Sequence, residues 1–351
     1  AALQGSPYPV TASTAYDPGA GDFALYVGKN GALLDSPNND VIGGGVGPAS
    51  NSNVPTTDIL GDTRSGTTTN PGAFALAQAT AVLTRTIGPV GRDYATFTAA
   101  EADVENIGGS ADLVFENERI EFLADAGTYS ESGTVFILSS LTTDETRQVT
   151  YKPASGAEHG GAESAGVIVQ PSTGATPFDV RDNFTALDGL VAKGTSVSAN
   201  GVQTGSGTAV GVSIKNCVVV AGAYPLTLYG GGSVSDPIRV ENCVARTTGN
   251  VPAVRALGLS RALYADLINC TVRDGQTSVE VNAHTHDATV NLLNILALDP
   301  SANTYVAGIG SGTLTVTGSN NFGGSSGAFP AALQGSPYPI TPTTNTTPGF
   351  G

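Results

Sequence analysis

Methionine and tryptophan do not occur in this chain of 351 residues, and charged side chains make up only 13% of it. Glycine (46 residues), threonine, serine, alanine and valine fill the space instead. β-Branched residues favour strands and glycine favours tight turns, so the balance predicts an all-β protein with many short strands. A hydrophobic content of 40% excludes a disordered chain. No run of 18 apolar residues is present, which excludes a membrane-spanning helix and predicts no membrane insertion. Basic residues are scarce, 15 against 30 acidic ones. The resulting net charge of −15 repels phosphate backbones and predicts no nucleic-acid partner. Three cysteines cannot pair completely, and no C-x-x-C or His/Cys metal spacing occurs. No signal peptide is legible and the first residue is Ala1, so a processed product or a segment of a longer one is expected. The acidic, glycine- and threonine-rich composition points to an extracellular or virion-surface location.

The second half of the chain carries a repeat. Ile214-Lys215-Asn216-Cys217-Val218, Val240-Glu241-Asn242-Cys243-Val244, Leu267-Ile268-Asn269-Cys270-Thr271 and Leu292-Leu293-Asn294-Ile295-Leu296 align, with the asparagines 26, 27 and 25 residues apart. Leu187 to Val191 fits one period earlier with Asp188 read in place of asparagine, and Gly318 to Phe322 fits one period later. This period means a solenoid. Leucine-rich repeats share the length but need a leucine lattice that is missing. A parallel β-helix stacks like residues of successive coils roughly 4.8 Å apart. Asn216, Asn242, Asn269 and Asn294 then form a ladder at one bend, and Cys217, Cys243 and Cys270 form an inward stack of buried, reduced thiols. After each asparagine comes an alternating segment, Pro225–Tyr229, Ala253–Leu257, Ser278–Asn282 and Thr304–Gly308, which reads as a further half-buried strand.

The solenoid is expected over about residues 110–325. Residues 94–107 predict a short helix, with Thr98 as N-cap and Glu101 at the capping-box position. Phe97, Val104 and Ile107 are expected to cover the first coil. The two ends of the chain repeat each other: Ala1 to Pro9 recurs as Ala331 to Pro339, and residues 1–21 match 331–351 at 14 positions. The organisation expected is a linker at 1–21, a module at 22–88, the opening of the solenoid with its capping helix at 89–165, coils at 166–330 and a second linker copy at 331–351.

Two resemblances follow. Gly91-Arg92-Asp93-Tyr94-Ala95-Thr96-Phe97, Asp112-Leu113-Val114, Leu141-Thr142-Thr143-Asp144 and His159-Gly160-Gly161 resemble the opening of right-handed, pectin-lyase-like β-helix surface proteins of phage and bacterial type. Asp22-Phe23-Ala24-Leu25, Leu34-Asp35-Ser36-Pro37, residues 57–64 and Pro71-Gly72-Ala73-Phe74 resemble the module that closes the C-terminal end of secreted β-helix proteins. The resemblance implies a right-handed single-stranded parallel β-helix with its closing module displaced to the N-terminus. The second linker copy stops at Gly351, where that module would begin. This arrangement suggests either a tandem array or head-to-tail completion by a neighbour, with Ala1, Leu3, Tyr8, Asp22, Leu25, Leu333, Tyr338 and Phe350 as assembly residues.

Chemistry is sparse. The Asn-Thr-Asp, Asp-Asp, Gly-His-Gly and Arg-Ile-Lys set of polygalacturonases is absent, as is the Asp-His signature of pectate lyases. Gly43 to Gly47 lacks the Lys-Ser/Thr of a phosphate loop. His284, His286 and Asp287 form the most suggestive local cluster for a metal. Arg246, Arg273, Asp274 and Asp299 fall at like offsets on successive coils, a pattern suited to an acidic sugar or to Ca²⁺. Glu241 and Asp266 are candidates for a glycosidase carboxylate pair. No catalytic residue emerges. The expected role is a structural, self-assembling subunit of an extracellular fibre or virion appendage whose partners are copies of itself. The alternative is a glycan-binding or polysaccharide-degrading β-helix acting on surface glycans. The lack of tryptophan to stack on sugars counts against it.

Overall fold

The computed structural model describes residues 80–108, 110–205, 209–298, 303–309, 311–319 and 321–323, with short strands at 45–46, 68–69, 334–335 and 338–339. The chain divides into two units, residues 1–81 with 112–119, and residues 82–111 with 120–351. In the first, Gly45–Val46 pairs antiparallel with Thr68–Thr69. A one-turn helix, Leu113–Glu116, is capped by the Asp112 carboxylate and ends at the left-handed Asn117. Of the rest of the proposed 22–88 module, residues 80–88 are described, with Ala81–Ile87 joining sheet 1 of the β-helix, and the others lie outside the described residues.

The second unit is a parallel β-helix. Its coils start at sheet-1 strands Glu118–Ala124, Val149–Pro153, Thr185–Asp188, Ser213–Lys215, Ile238–Glu241, Leu263–Ile268 and Ala288–Leu293. Each of these seven coils adds one strand to each of three sheets, and Leu314–Ser319 begins the next. Sheet 2 takes in Val191–Lys193, Val218–Ala221, Val244–Thr247 and Thr271–Arg273; sheet 3 takes in Leu226–Tyr229, Val254–Leu257 and Thr277–Ala283. The pairing between coils is parallel throughout. The right-handed sense is the one that parallel crossovers adopt. Strand Ala81–Ile87 extends sheet 1 beyond the first coil.

The interior is a set of columns. Phe122, Tyr151, Leu187, Ile214, Val240, Leu267 and Leu292 stack along sheet 1, none more than 1% exposed. Sheet 2 contributes Ala192, Val219, Ala245, Val272 and Ala297. Between these sheets the chain turns in two residues. Asn216, Asn242, Asn269 and Asn294 hold φ of 52° to 54°, the left-handed region that asparagine tolerates best after glycine. That conformation turns the asparagine outward and the next residue inward. Cys217, Cys243 and Cys270 are buried and free, and each thiol lies against backbone carbonyls. Burial pushes the Cys243 thiol well above its ordinary value, while Cys270 is drawn down by the hydrogen bond from Cys243. The amide of Asn242 donates to Asn216 at 3.3 Å, and that of Asn294 to Asn269 at 2.8 Å.

Two expectations shift by a residue or two. Asp188 does not hold the asparagine position, because it pairs with Lys215 and Gly189, at φ 71°, makes the bend. Asp188 instead ends the ladder, accepting the Asn216 amide at 2.7 Å. The short helix spans Phe97–Ala102 and its N-cap is Thr96, which accepts from Ala99 N. Thr98 is not the cap and Glu101 closes no capping box. The helix N-terminus is satisfied from another coil, since Glu131, 1% exposed, accepts from Phe97 N, Thr98 N and the Thr98 hydroxyl. Phe97, Val104 and Ile107 are buried as expected. Phe97 meets Tyr129 and Phe178 edge-on, while Phe122 and Tyr151 stack with centroids 4.7 Å apart.

Glu101 packs down beside this aromatic plug. It accepts from Tyr151 Oη and, at 2.9 Å, from Leu138 N. Burial lifts its carboxyl to about 7, against the pull of those donors, and Asp182 and Glu105 nearby push the same way. The folded state thus keeps this proton to about pH 7, whereas an unfolded chain releases it near 4.5. The cap is at full strength below the unfolded value and weakens as pH rises through the folded one. Denaturation between pH 4 and 8 is expected to show a loss on the order of 1 to 3 kcal/mol across that window, and Glu101→Gln should flatten it. An unchanged pH profile in the variant would remove Glu101 from this role. At the bend, Asn242→Ala is expected to cost about 1 kcal/mol more than Asn242→Gly. Equal denaturation midpoints would show that the left-handed backbone is not what selects asparagine.

Candidate functional site

Two surfaces gather the chemistry-bearing side chains. The first is the outer face of sheet 2. By alternation Ile168, Val191, Val218 and Val220 point away from the interior, yet they are 0 to 9% exposed and pack together. Residues 154–166 reach from the second coil to the fourth and fifth along this face. His159 Nε2 lies 2.7 Å from Asn216 O, and its Nδ1 accepts from Gly161 N, so Nε2 carries the hydrogen. Further along, Glu163 meets Arg246 at 2.5 Å. The segment is a strap, pinned at both sides of the valine cluster.

Arg246 belongs to the anticipated arginine–aspartate ladder, and the structure brings most of that ladder together. Asp274 lies 3.0 Å from Arg246 Nε and 3.4 Å from Arg273 Nε. Glu163 and Asp274 hold the Arg246 guanidinium above its already high ordinary value. Asp299 lies outside the described residues. Glu163 was not singled out from sequence, because it arrives from a strap more than 80 positions away. Two arginines thus share two carboxylates, an arrangement that ties coils and strap together.

The second surface is the bend from sheet 3 into sheet 1. Gly230, Gly231 and Gly232 all have positive φ, at 49°, 100° and 70°. A Cβ at Gly232 would sit 2.3 Å from Tyr264 O, so the backbone there requires glycine. A groove of about 390 Å³ opens over these glycines, with Arg261, Tyr264 and His286 among its walls. His284, Thr285, His286 and Asp287 are exposed in the same bend two coils on. His286 Nδ1 is 3.0 Å from Leu259 O, which leaves Nε2 as the open acceptor of the ring. Asp287 accepts from Thr313 N at 2.7 Å and so fastens the next coil. Among the described residues, no three His, Cys, Asp or Glu side chains stand close enough to hold a metal ion.

The outer face of sheet 1 carries lateral ion pairs. Lys152 meets Glu121 at 2.7 Å, Lys215 meets Glu241 at 3.5 Å and Arg239 meets Asp266 at 3.9 Å. Glu241 stands opposite Ile268, and Asp266 opposite Arg239. The two carboxylates therefore occupy different columns, each beside its own cation. Among the described residues, no helix is long and apolar enough to cross a membrane.

No family model matches the chain, and no curated protein matches it. Solved parallel β-helix structures do. A pectin methylesterase from Aspergillus niger is 12% identical, over 70% of this chain and 87% of its own, at a TM-score of 0.42. The Escherichia coli protein YbhC is 14% identical, over 74% and 73%, at 0.37. Tailspike protein gp49 of Acinetobacter baumannii bacteriophage Fri1, a capsular polysaccharide depolymerase, is 14% identical, over 76% and 52%, at 0.36. The similarity is one of architecture, and the parallel β-helix assignment rests on the strand register itself.

The strap yields a prediction. Arg246 and Glu163 are each about one-third exposed, so their pair contributes under about 1 kcal/mol to global stability. Glu163→Gln should leave the denaturation midpoint nearly unchanged while accelerating amide exchange and proteolysis within residues 154–166. Unaltered exchange there would show that the strap is held without this ion pair.

Proposed function

We propose that this chain is a structural, self-assembling β-helix subunit of an extracellular fibre or virion appendage. Its copies would join head to tail through the repeated segments. One observation carries the reading. The second copy of the nine-residue repeat contains a small antiparallel hairpin, Gln334–Gly335 with Tyr338–Pro339, and its second strand lies beside Leu314–Ser319. That strand is the last of sheet 1 among the described residues. An unpaired sheet edge is a template for another strand. Residues 1–9 have the same sequence as residues 331–339. They carry the same backbone and side-chain chemistry for that edge, so a neighbour can supply them in place of the chain's own copy. Strand addition combines backbone hydrogen bonds with side-chain burial. A contact between unlike surfaces, repeated without closure, makes an open filament.

The full chain is expected to form linear particles in electron micrographs, with mass rising with concentration in light scattering. A synthetic peptide of residues 1–9 should shorten them, and deletion of residues 1–9 should prevent them. A full chain that stays monomeric at high concentration, or a deletion variant that still polymerises, sinks this reading.

A further inference from the structure

We propose that the strap at residues 154–166 is an acid-released latch, held on the outer face of sheet 2 in neutral solution by the uncharged ring of His159 and let go when that ring takes up a second proton. The inference is independent of the assembly reading and goes beyond it.

The strap is an enlarged bend. Coils three to seven turn from sheet 1 into sheet 2 in two residues, whereas in the second coil sheet 1 ends at Pro153 and sheet 2 begins only at Val167. The residues between reach the asparagine ladder at Asn216. With φ of 56° and 85°, Gly160 and Gly161 turn the chain back, so that the Gly161 amide meets the ring two residues before it. At Gly166 a Cβ would lie 2.6 Å from His159 N, so the base of the strap closes against the backbone of the histidine itself.

Both partners of the His159 ring have fixed roles. Asn216 O can only accept and lies 2.7 Å from Nε2, while Gly161 N can only donate and lies 2.8 Å from Nδ1. The neutral ring with its hydrogen on Nε2 satisfies both, and no other protonation state does. A proton on Nδ1 sets two N–H groups against each other, so the ring must give up Gly161 or turn away. An imidazole in water takes up that proton near about pH 6.5. The released, solvated ring accepts it without conflict. The contact is therefore fully present above that range and is lost as pH falls through it.

Neighbouring charges do not supply the same signal. Glu158 and Glu163 stand on the strap itself, and Glu163 is held by Arg246. Lys152, on the strand that leads into the strap, meets Glu121. At the bend Lys215 meets Glu241, and Asp188 accepts the Asn216 amide. Carboxylates and amines ordinarily titrate outside the range of about pH 5.5 to 7.5, which leaves the imidazole as the group that changes charge there. Glu101, lifted to about 7, belongs to the cap helix and acts with the opposite sign, since its protonated form strengthens the fold.

The latch lies over an apolar column. Val218 pairs with Val244 on the next coil. Asn216 comes just before the first valine and Arg246 just after the second, so the path between the two pins crosses this column, where Val218 points outward and is 1% exposed. Loss of the His159 pin leaves that path tethered by Glu163 alone of the two.

The test follows hydrogen exchange of the full chain by mass spectrometry at about pH 7.5 and about pH 5.5, each corrected for the intrinsic chemical rate. Peptides within 154–166 are expected to lose about tenfold in protection at the lower pH, as for one hydrogen bond broken, while peptides of the sheet-1 strands keep theirs. His159→Gln can still donate to Asn216 O but gains no proton, so its protection should be the same at both values. His159→Ala should be open at both. A change driven by the cap would instead raise protection at the lower pH in parent and variants alike. Protection of 154–166 that is independent of pH in the parent overturns the latch, as does a pH dependence that survives in either His159 variant.

Discussion

The structure depends on one local constraint, the two-residue bend between sheets 1 and 2. A left-handed residue followed by an inward one reverses the chain's direction within the cross-section without breaking the ladder between coils. Asparagine fits because its short polar side chain tolerates positive φ and can pass a hydrogen bond to the coil above. The peptide nitrogen of each such asparagine is satisfied as well: Asn216 N donates to Glu241 O, Asn242 N to Ile268 O and Asn269 N to Leu293 O. Because the bend recurs, the same register is imposed on coil after coil. A slip of one residue would turn every inward side chain to the surface.

How much of this was legible follows from the same physics. Asn216, Asn242, Asn269 and Asn294 are conspicuous because an unusual backbone geometry restricts the residue choice, so the bend writes itself into the sequence. Gly189 meets the same geometry with a different residue, and the acidic neighbour Asp188 drew the eye instead. The sheet-3 strands were legible as alternating segments, since polar residues such as Thr227, Arg255 and Glu280 fill one outward column between apolar ones. Sheet 2 was hidden. Val218–Ala221 is apolar and buried on both faces, so no alternation marks it as a strand. The helix cap was misplaced because Glu131 supplies from a distant coil what a capping box would supply locally. Arg246, Arg273 and Asp274 lie together because equal offsets on successive coils become neighbours. Arg261, Tyr264 and the three glycines were missed because their bends vary in length and keep no common offset.

Surface charge on sheet 1 alternates in sign, whereas on sheet 2 Arg246 stands opposite Arg273 and Asp274 bridges the two. On a solenoid of this kind each outward column places neighbouring side chains about 4.8 Å apart, so like charges in one column would repel along its whole length. Lys152, Asp188, Lys215 and Glu241 succeed one another along a single column of sheet 1, with signs alternating. Exposed pairs of this type contribute little stability individually. Their larger effect is on register, since a displaced coil would set like charges side by side.

Among the described residues the two ends of the β-helix are built differently, and the difference bears on the proposed assembly. The first coil is closed by a helix that buries Phe97 among Tyr129, Tyr151 and Phe178, and Glu131 and Glu101 tether it through hydrogen bonds to several backbone groups. Displacing it would expose an aromatic plug and strand two buried carboxylates, each a costly step. Beside the last strand of sheet 1 lies a hairpin with only two residues in each strand. So short a pairing brings few backbone hydrogen bonds, and two-stranded hairpins are marginal on their own. Exchange of equivalent strands costs little when the incoming segment has the same sequence as the outgoing one, because every interaction that breaks is formed again by an identical residue. A firmly held cap at one end and a two-residue hairpin near the other make the described ends of the β-helix unlike, and on the proposed reading it is this difference that gives head-to-tail growth its direction.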